Sequence, residues 1–456
     1  MISVLRNRTY RRLFTAQVIA LTGTGLATVA LGLLAYDIAG ARAGSVLGTA
    51  LAIKMAAYVA IAPAIGAVAD RLPRRTLMAG ADLIRAAVAL TLPFVDQIWQ
   101  VYVLIFALQA ASAAFTPTFQ AVIPDVLPEE RDYTRALSLS RLANDMESLF
   151  SPALAAALLA FMSYNWLFLG TMGGFVASAV LVVSAVLPKP DRPSARTKDG
   201  VRPKAATAGA RLFFATPSLR ALLSLNLAVA AAGAVVTVNT VVYVRDHLGR
   251  TTGDVALALG AYGAGSMLVA LLLPRVLARV EDRTVMLRGA LLLTVVFGAL
   301  GAVTAAGSGG WRWPALLAVW AAFGAACSTV LTPTGRLIRR VAPPEGRTSA
   351  FAAQFSLSHA CWLLTYPLAG WLGATAGLRA AVIALGAIAS GAAVLAVRLW
   401  PSGDGGERPH VHSGLTPGHP HLAGAAQVSG GWRHRHRPVA DRLHAHCPAG
   451  TSGPLG

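Results

Sequence analysis

The run TPTFQAVIPDVLPEER at residues 116–131 returns as TPTGRLIRRVAPPEGR at residues 332–347. Pro117 and Pro333, Pro128 and Pro344, Glu129 and Glu345, and Arg131 and Arg347 all stand the same 216 positions apart. A few residues on, LSLSR (Leu137–Arg141) comes back as FSLSH (Phe355–His359), and Pro152 has its counterpart in Pro367. A repeat near half the length of a 456-residue chain that is 55% hydrophobic implies two homologous membrane bundles in one polypeptide. Parallel halves of six helices, related by an axis along the membrane normal, are a transporter architecture.

Charged residues make up only 13% of the chain, about half of the roughly 25% that a soluble protein carries. Apolar stretches of about 20 residues, long enough to cross a bilayer, recur as far as Trp400. They predict an all-α integral membrane fold of twelve transmembrane helices, at 12–38, 44–69, 76–95, 98–122, 135–160, 166–187, 217–244, 253–278, 285–306, 313–337, 348–374 and 378–400. The first apolar run is too long for a cleavable signal peptide and lacks a small-residue cleavage site, so it is expected to stay in the membrane.

The formal net charge is +19. Its distribution follows the membrane rather than a nucleic acid. Arg6, Arg8, Arg11 and Arg12, then Arg71, Arg74 and Arg75, then Arg131 and Arg135 fall at ends on one side of the zigzag. The 188–216 linker, Arg275 to Arg288 and Arg336 to Arg347 continue on that side, while the opposite loops hold little more than Arg42, Arg245, Arg250, Arg312 and Arg379. This positive-inside pattern predicts the cytoplasmic membrane, with both termini and the linker cytoplasmic. No nucleic-acid partner is expected. The cysteines, Cys327, Cys361 and Cys447, lack the spacing of a disulfide framework or a metal finger.

The expected units are an N-terminal bundle at 1–187, a basic, Pro-rich linker at 188–210, a C-terminal bundle at 211–400 and a disordered tail at 401–456. Small residues crowd the spans, as at Gly40, Gly44 and Gly48 or Gly370, Gly373 and Gly377. Such spacing lets helix backbones approach closely in lipid, or simply reflects an Ala/Gly-rich composition.

Between the second and third spans lies Gly66-Ala-Val-Ala-Asp70-Arg71-Leu-Pro-Arg74-Arg75. It resembles the signature loop of the major facilitator superfamily, and that likeness covers Leu5 to about Trp400. The resemblance implies the major facilitator fold and a gating role for Gly66, Asp70, Arg71, Arg74 and Arg75. A carboxylate at a helix end can bind the positive N-terminus of a neighbouring helix in one state and release it in the other. The second-half counterpart, ARVEDR at 278–283, is degraded, so asymmetric gating is expected. Helix five carries Glu147-Ser-Leu-Phe-Ser151-Pro152, similar to the antiporter motif of the family's exporters, with Ser and Ala where glycines stand there. An arginine that often accompanies proton-coupled members has Phe106 at its place.

Ionisable residues inside spans are costly, so each is a functional candidate. Asp145 and Glu147 are two apart and point to nearly opposite faces of helix five. Arg141 and Asp145, four apart, are spaced to pair along the helix. Glu147 has no local partner and is the preferred proton-coupling carboxylate, with Asp145 the second candidate. Lys54 either pairs with a carboxylate or snorkels outward; Asp82 and Arg85 are expected to form a local pair. His359 is a helix-packing hydrogen bonder or a ligand. Polar residues Gln17, Thr24, Gln109, Thr116, Asn226, Asn239 and Thr332, together with His359, are the candidate lining of the substrate pathway.

The tail holds four His-x-His pairs: His410/His412, His419/His421, His434/His436 and His444/His446. Residues two apart in an extended chain share a side, and imidazole suits nickel, copper and zinc. The plain alternative is a Gly/Pro/Arg-rich tail read through a shifted frame. With this tail, the N-terminal run LRNRTYRRLFTAQVIALTGTGLATVALGLLAYDIAG and LQAASAAFTPTFQAVIPDVLPEERDYTRALSLSR resemble the nickel-resistance branch of the superfamily, near exporters of siderophores and macrolides. That resemblance implies proton-driven export of a divalent cation, nickel and then cobalt, by a monomer that meets only lipid, protons and its substrate. An exporter of drugs, siderophores or other small organic compounds is the alternative, as is a non-transporting sensor with a metal-binding tail. No enzymatic activity and no cofactor are expected, since the spans hold no paired histidine ligands and no nucleophile–base arrangement.

Overall fold

A computed structural model describes residues 2–39, 43–68, 72–159, 161–187, 205–343, 346–400, 408–412, 424–429 and 431–436. The first half contains α1 (Arg8–Ala39), α2 (Ala43–Val68), α3 (Arg74–Thr91), α4 (Ile98–Val126), α5 (Glu130–Leu159) and α6 (Tyr164–Ser184). A linker helix, α7 (Ala205–Ala215), leads to the second half: α8 (Pro217–Val242), α9 (Thr252–Val276), α10 (Asp282–Ala305), α11 (Arg312–Leu331), α12 (Thr334–Val341), α13 (Arg347–Thr375) and α14 (Gly377–Leu399). Among the described residues, eight helical segments are apolar and long enough to cross a membrane by length and composition. Helices α1, α2, α5 and α13 lie alongside them, which gives the expected pair of six-helix bundles.

Local chemistry sets the ends. Pro217 opens α8, where its missing N–H removes no helical bond. At the start of α9 the Asp254 carboxylate accepts from the Thr251 backbone N–H at 3.1 Å and from its hydroxyl at 3.0 Å. The turn between α13 and α14 passes through Gly377 at φ +84°, a conformation that a side chain resists. One expected span is divided: 313–337 becomes α11 and α12, with Pro333 at the joint. Pro333 supplies no N–H, and Gly335 just beyond it lets α12 approach Leu137 and Tyr133 of α5. A Cβ at Gly335 would stand 2.7 Å from Leu137 and 2.8 Å from the Tyr133 hydroxyl.

Each bundle has its own core. In the first, Tyr10, Leu13, Met78, Phe115 and Phe119 pack together, and the buried pair Asp82–Arg85 forms as expected. Arg85 lies between the rings of Phe115 and Phe175, at 4.7 and 4.5 Å, and Ser178 donates to Asp82 at 2.7 Å. In the second, Trp320, Phe323, Phe297 and Leu385 centre the core. There α9 and α11 touch backbone to backbone: a Cβ at Gly265 or at Gly324 would fall 1.9 Å from the carbonyl oxygen of Ala321 or Tyr262 respectively.

The halves meet along two lines, α2 against α13 and α5 against α9. These lines exchange under the internal repeat, since α5 corresponds to α13 and α2 to α9. Helix α7 spans the junction, packing on α2 of one half and on α13 and α8 of the other. At its tightest point a Cβ on Gly209 would lie 2.0 Å from the Ser349 carbonyl oxygen.

The structure differs from the sequence reading in two further places. Residues 205–210, expected as linker, are helical because Leu212 and Phe213 give the segment an apolar side to bury. Residues 401–456, expected to be disordered, contain a three-stranded antiparallel sheet of β1 (Arg408–His412), β2 (Ala426–Val428) and β3 (Gly431–His436), in the order β1-β3-β2. Backbone pairing between strands needs no apolar core, so the tail's composition did not announce it.

Candidate functional site

Basic residues collect where α3, α10 and α13 start and where α12 ends, and there the two halves are bonded across their junction. Asp125, near the end of α4, accepts from Arg74 of its own half at 2.5 Å and from Arg347 of the other at 2.8 Å. The second arrangement has the opposite polarity. Asp282, at the start of α10, pairs with Arg336 at 3.0 Å and Arg340 at 2.8 Å within its own half. The same two arginines reach Glu130 of the first half, Arg336 at 2.7 Å. Arg336 also donates to the Thr134 hydroxyl at 2.5 Å, and Arg339 donates to the Pro128 carbonyl. Burial alone raises the Glu130 carboxyl, but Arg340 and Arg336 outweigh it and hold the group below its ordinary value. Two carboxylate–arginine clusters thus fasten this basic face.

Midway through the bundles is a second group. Tyr58 of α2 donates to the Gln109 side chain at 2.9 Å and packs edge-on against Phe355 and His359 of α13, at 4.9 and 4.6 Å. Ser356 donates to the Val59 carbonyl at 2.7 Å, a further bond between halves. Lys54 lies 5.7 Å from the Tyr58 ring and is the charged neighbour of Glu147 and His359. On α5, Asp145 pairs with Arg141 at 2.9 Å and accepts from Ser266 of α9 at 2.6 Å.

The expected site residues are distributed as follows. Gly66 lies in α2, and Arg74 and Arg75 open α3; Asp70 and Arg71 lie outside the described residues. Asp145 and Glu147 do turn apart, Asp145 towards α9 and Glu147 towards Lys54. Helix α5 runs through Ser151 and Pro152. Gln17 accepts from Ser140 at 3.1 Å, and Gln109 joins the central group. Asn226 donates to Gln354 at 3.1 Å and Asn239 to the Ala369 carbonyl at 3.4 Å, so both amides bind within the second bundle. His359 holds the Phe355 carbonyl at 2.7 Å through Nδ1. In the tail, His410 pairs in register with His434, and His412 and His436 lie two residues further along β1 and β3; His419 and His421 lie outside the described residues. Among the described residues, no group of three His, Cys, Asp or Glu side chains gathers as a metal site.

Sequence reasoning missed Asp125, Glu130, Asp282, Tyr58 and Ser266. Asp282 sits in the degraded ARVEDR segment, and Asp125, Glu130, Arg336, Arg340 and Arg347 all sit in the echoed runs, so these contacts lie inside the repeat.

Comparison with known proteins gives a consistent result. The family described as Major Facilitator Superfamily matches residues 13–249 and 222–440. An uncharacterized MFS-type transporter, YfiS, of Bacillus subtilis is 29% identical over 143 residues, 30% of this chain and 34% of that one. Macrolide efflux protein A of Streptococcus pyogenes is 31% identical over 153 residues, 31% of this chain and 38% of that one. The matched region therefore spans little more than a third of these relatives. The human organic anion transporter MFSD10 superposes with a TM-score of 0.71 at 15% identity, over 85% of this chain and 99% of that one. A bacterial homologue of the iron transporter ferroportin, in an outward-facing state, gives 0.69 at 14% identity, over 86% and 99%.

Proposed function

The chain belongs to the Major Facilitator Superfamily, and from that premise we propose that it is a proton-driven exporter of the cytoplasmic membrane, working by alternating access. The basic face is the cytoplasmic one, by the positive-inside rule, so both termini are cytoplasmic and this conformation is shut towards the cytoplasm. The observation that carries the reading is the double fastening of that face. Arg347 to Asp125, and Glu130 to Arg336 and Arg340, are bonds between halves, and opening the face requires breaking all of them. The signature loop, Gly66 to Arg75, is read as the gate here: Arg74 holds Asp125 towards Arg347, and Asp70 and Arg71 belong to the same sequence motif. The α5 carboxylates Asp145 and Glu147 are the candidate proton carriers, and the antiporter-like pair Ser151-Pro152 follows them on the same helix.

Substrate is held at the midplane by Tyr58, Gln109, Phe355 and His359, with the charges of Lys54 and Glu147 beside them. Aromatic faces with a few fixed polar groups suit a small organic compound, and macrolide efflux proteins are among the relatives. A second reading, export of a divalent cation (nickel first, then cobalt), is favoured by the pairing of His410 with His434. That register also aligns the positions of His412 and His436 on the same sheet face by the two-residue period. The protein acts as a monomer in lipid under either reading.

Everted vesicles carrying the full chain separate these readings. Collapse of an imposed proton gradient by a macrolide supports organic export, and collapse by nickel supports metal export. If nickel acts on the full chain but not on one ending at Pro401, the tail delivers the metal. No response to either substrate, with correctly inserted protein, refutes proton-driven export of both classes.

A further inference from the structure

We propose that Arg141, Asp145 and Ser266 form a proton-operated lock between the halves, in which Asp145 takes up the driving proton and thereby releases α5 from α9. The inference deepens the proton-driven reading above and rests on it for direction.

Asp145 is buried, and its two oxygens are used differently. Oδ1 meets Arg141 of its own helix at 2.9 Å, and Oδ2 accepts from the Ser266 hydroxyl of the other half at 2.6 Å. Arg141 reaches the same hydroxyl, Nη2 at 3.1 Å and Nε at 3.3 Å. One hydroxyl from α9 therefore closes a ring with a charged pair from α5. The other titratable groups facing the ring are Tyr262 of α9, hydrogen-bonded to Arg141 and to Cys327, and Cys327 of α11. Helix α1 presents Gln17, which accepts from Ser140 beside Arg141.

The ring needs the carboxylate. Two donors converge on Asp145 only while it is an acceptor at both oxygens. A proton on one oxygen turns that position into a donor and leaves the Arg141 charge buried without its counter-ion, a costly arrangement. The way out is for Ser266 to leave and for water to reach Arg141, which is separation of α5 from α9. Charge balances: one proton binds Asp145 while the cytoplasmic face is shut and leaves when that face is open. A proton arriving from outside thus opens the chain inward, and loss of the proton to the cytoplasm re-forms the ring. That order is the one export requires. Glu147, on the other side of α5 and beside Lys54, touches no residue of this ring, which leaves it free to serve the substrate.

The test uses the full chain in lipid nanodiscs, with spin labels on α5 and α9 near the basic face and protons alone as the probe. Wild type is expected to shift from short to long α5–α9 distances as pH falls, and Glu147→Gln is expected to keep that response. Asp145→Asn should give a distribution that no longer follows pH. Ser266→Ala, which keeps both charges and loses little volume, should lower the closed population at neutral pH about tenfold, the effect of losing one hydrogen bond to a charged group. Arg141→Lys guards against misfolding, since it retains a charge for Asp145 and should preserve the pH response. A pH response that survives in Asp145→Asn and vanishes in Glu147→Gln overturns the lock. If the response follows Asp145 but vesicles show no proton-coupled export of either substrate class, the lock stands and the proton-driven reading fails.

Discussion

Replacing Glu130 by Gln tests the fastened face with a minimal change of shape. The carboxylate is the first-half partner of both Arg336 and Arg340, and Asp282 remains to hold those arginines in the variant, so no buried charge is stranded. Glu130 is about half exposed, its side chain at 48%. The contacts are therefore discounted to the scale of partly screened pairs, each about 0.5–1 kcal/mol, and two of them give about 1–2 kcal/mol. Since about 1.4 kcal/mol is tenfold, the ratio of closed to open chains should fall roughly fivefold to thirtyfold. Labels at Arg131 and Val341, with Cys447 replaced by Ser, report it as growth of a long-distance component in pulsed dipolar spectra. Salt should act the same way on wild type and less on the variant, which among the described residues keeps only the Asp125–Arg347 ion pair of this face between halves, because at 1 M the Debye length is about 3 Å. Acid gives a third check. Glu130 titrates below its ordinary value of 4.5 in the closed state, so its contribution is complete above that pH. It is lost as pH falls through the depressed value. Glu130→Gln should lack this acid component. A distance distribution unchanged in the variant and in salt would refute a gate built on these pairs.

Three further outcomes follow from packing. Gly265→Ala or Gly324→Ala should lower the melting temperature and loosen α9 from α11, at about 1–3 kcal/mol for overpacking, whereas Gly298→Ala, with open space around it, should be nearly neutral by thermal shift. Arg85→Met should cost about 3–5 kcal/mol by stranding Asp82, and the double change with Asp82→Asn should recover most of it, read by denaturation in detergent. Gly209→Ala should unseat α7 from Ser349, and faster tryptic cleavage after Arg211 in folded protein would report it.

What the sequence disclosed follows the reach of each contact. Arg85 with Asp82 and Arg141 with Asp145 were legible because three- and four-residue spacing puts them on one helix face. The twelve spans and the paired bundles were legible because lipid enforces length and the repeat enforces symmetry. The fastened face was not legible: Arg347 and Asp125 are 222 positions apart, far beyond the reach of helical spacing. Close backbone approaches occur at Gly209, Gly265 and Gly324, where a partner carbonyl leaves no room for a side chain. Asn226 and Asn239 stand out as polar residues in an apolar span, and the bonds their amides make to α13 depend on packing between helices, which spacing does not disclose.

The contact between α9 and α11 has a mechanical consequence. With Gly265 seated against the Ala321 carbonyl and Gly324 against that of Tyr262, the two helices interlock and resist sliding past one another. Ser266 sits one residue from this contact, and at the end of α11 the chain continues through Pro333 into α12, which bears Arg336 and Arg340. Under the proposed lock, motion of this pair would pass to the arginines of α12 through the Pro333 joint, by way of the backbone and not of a relay of side chains.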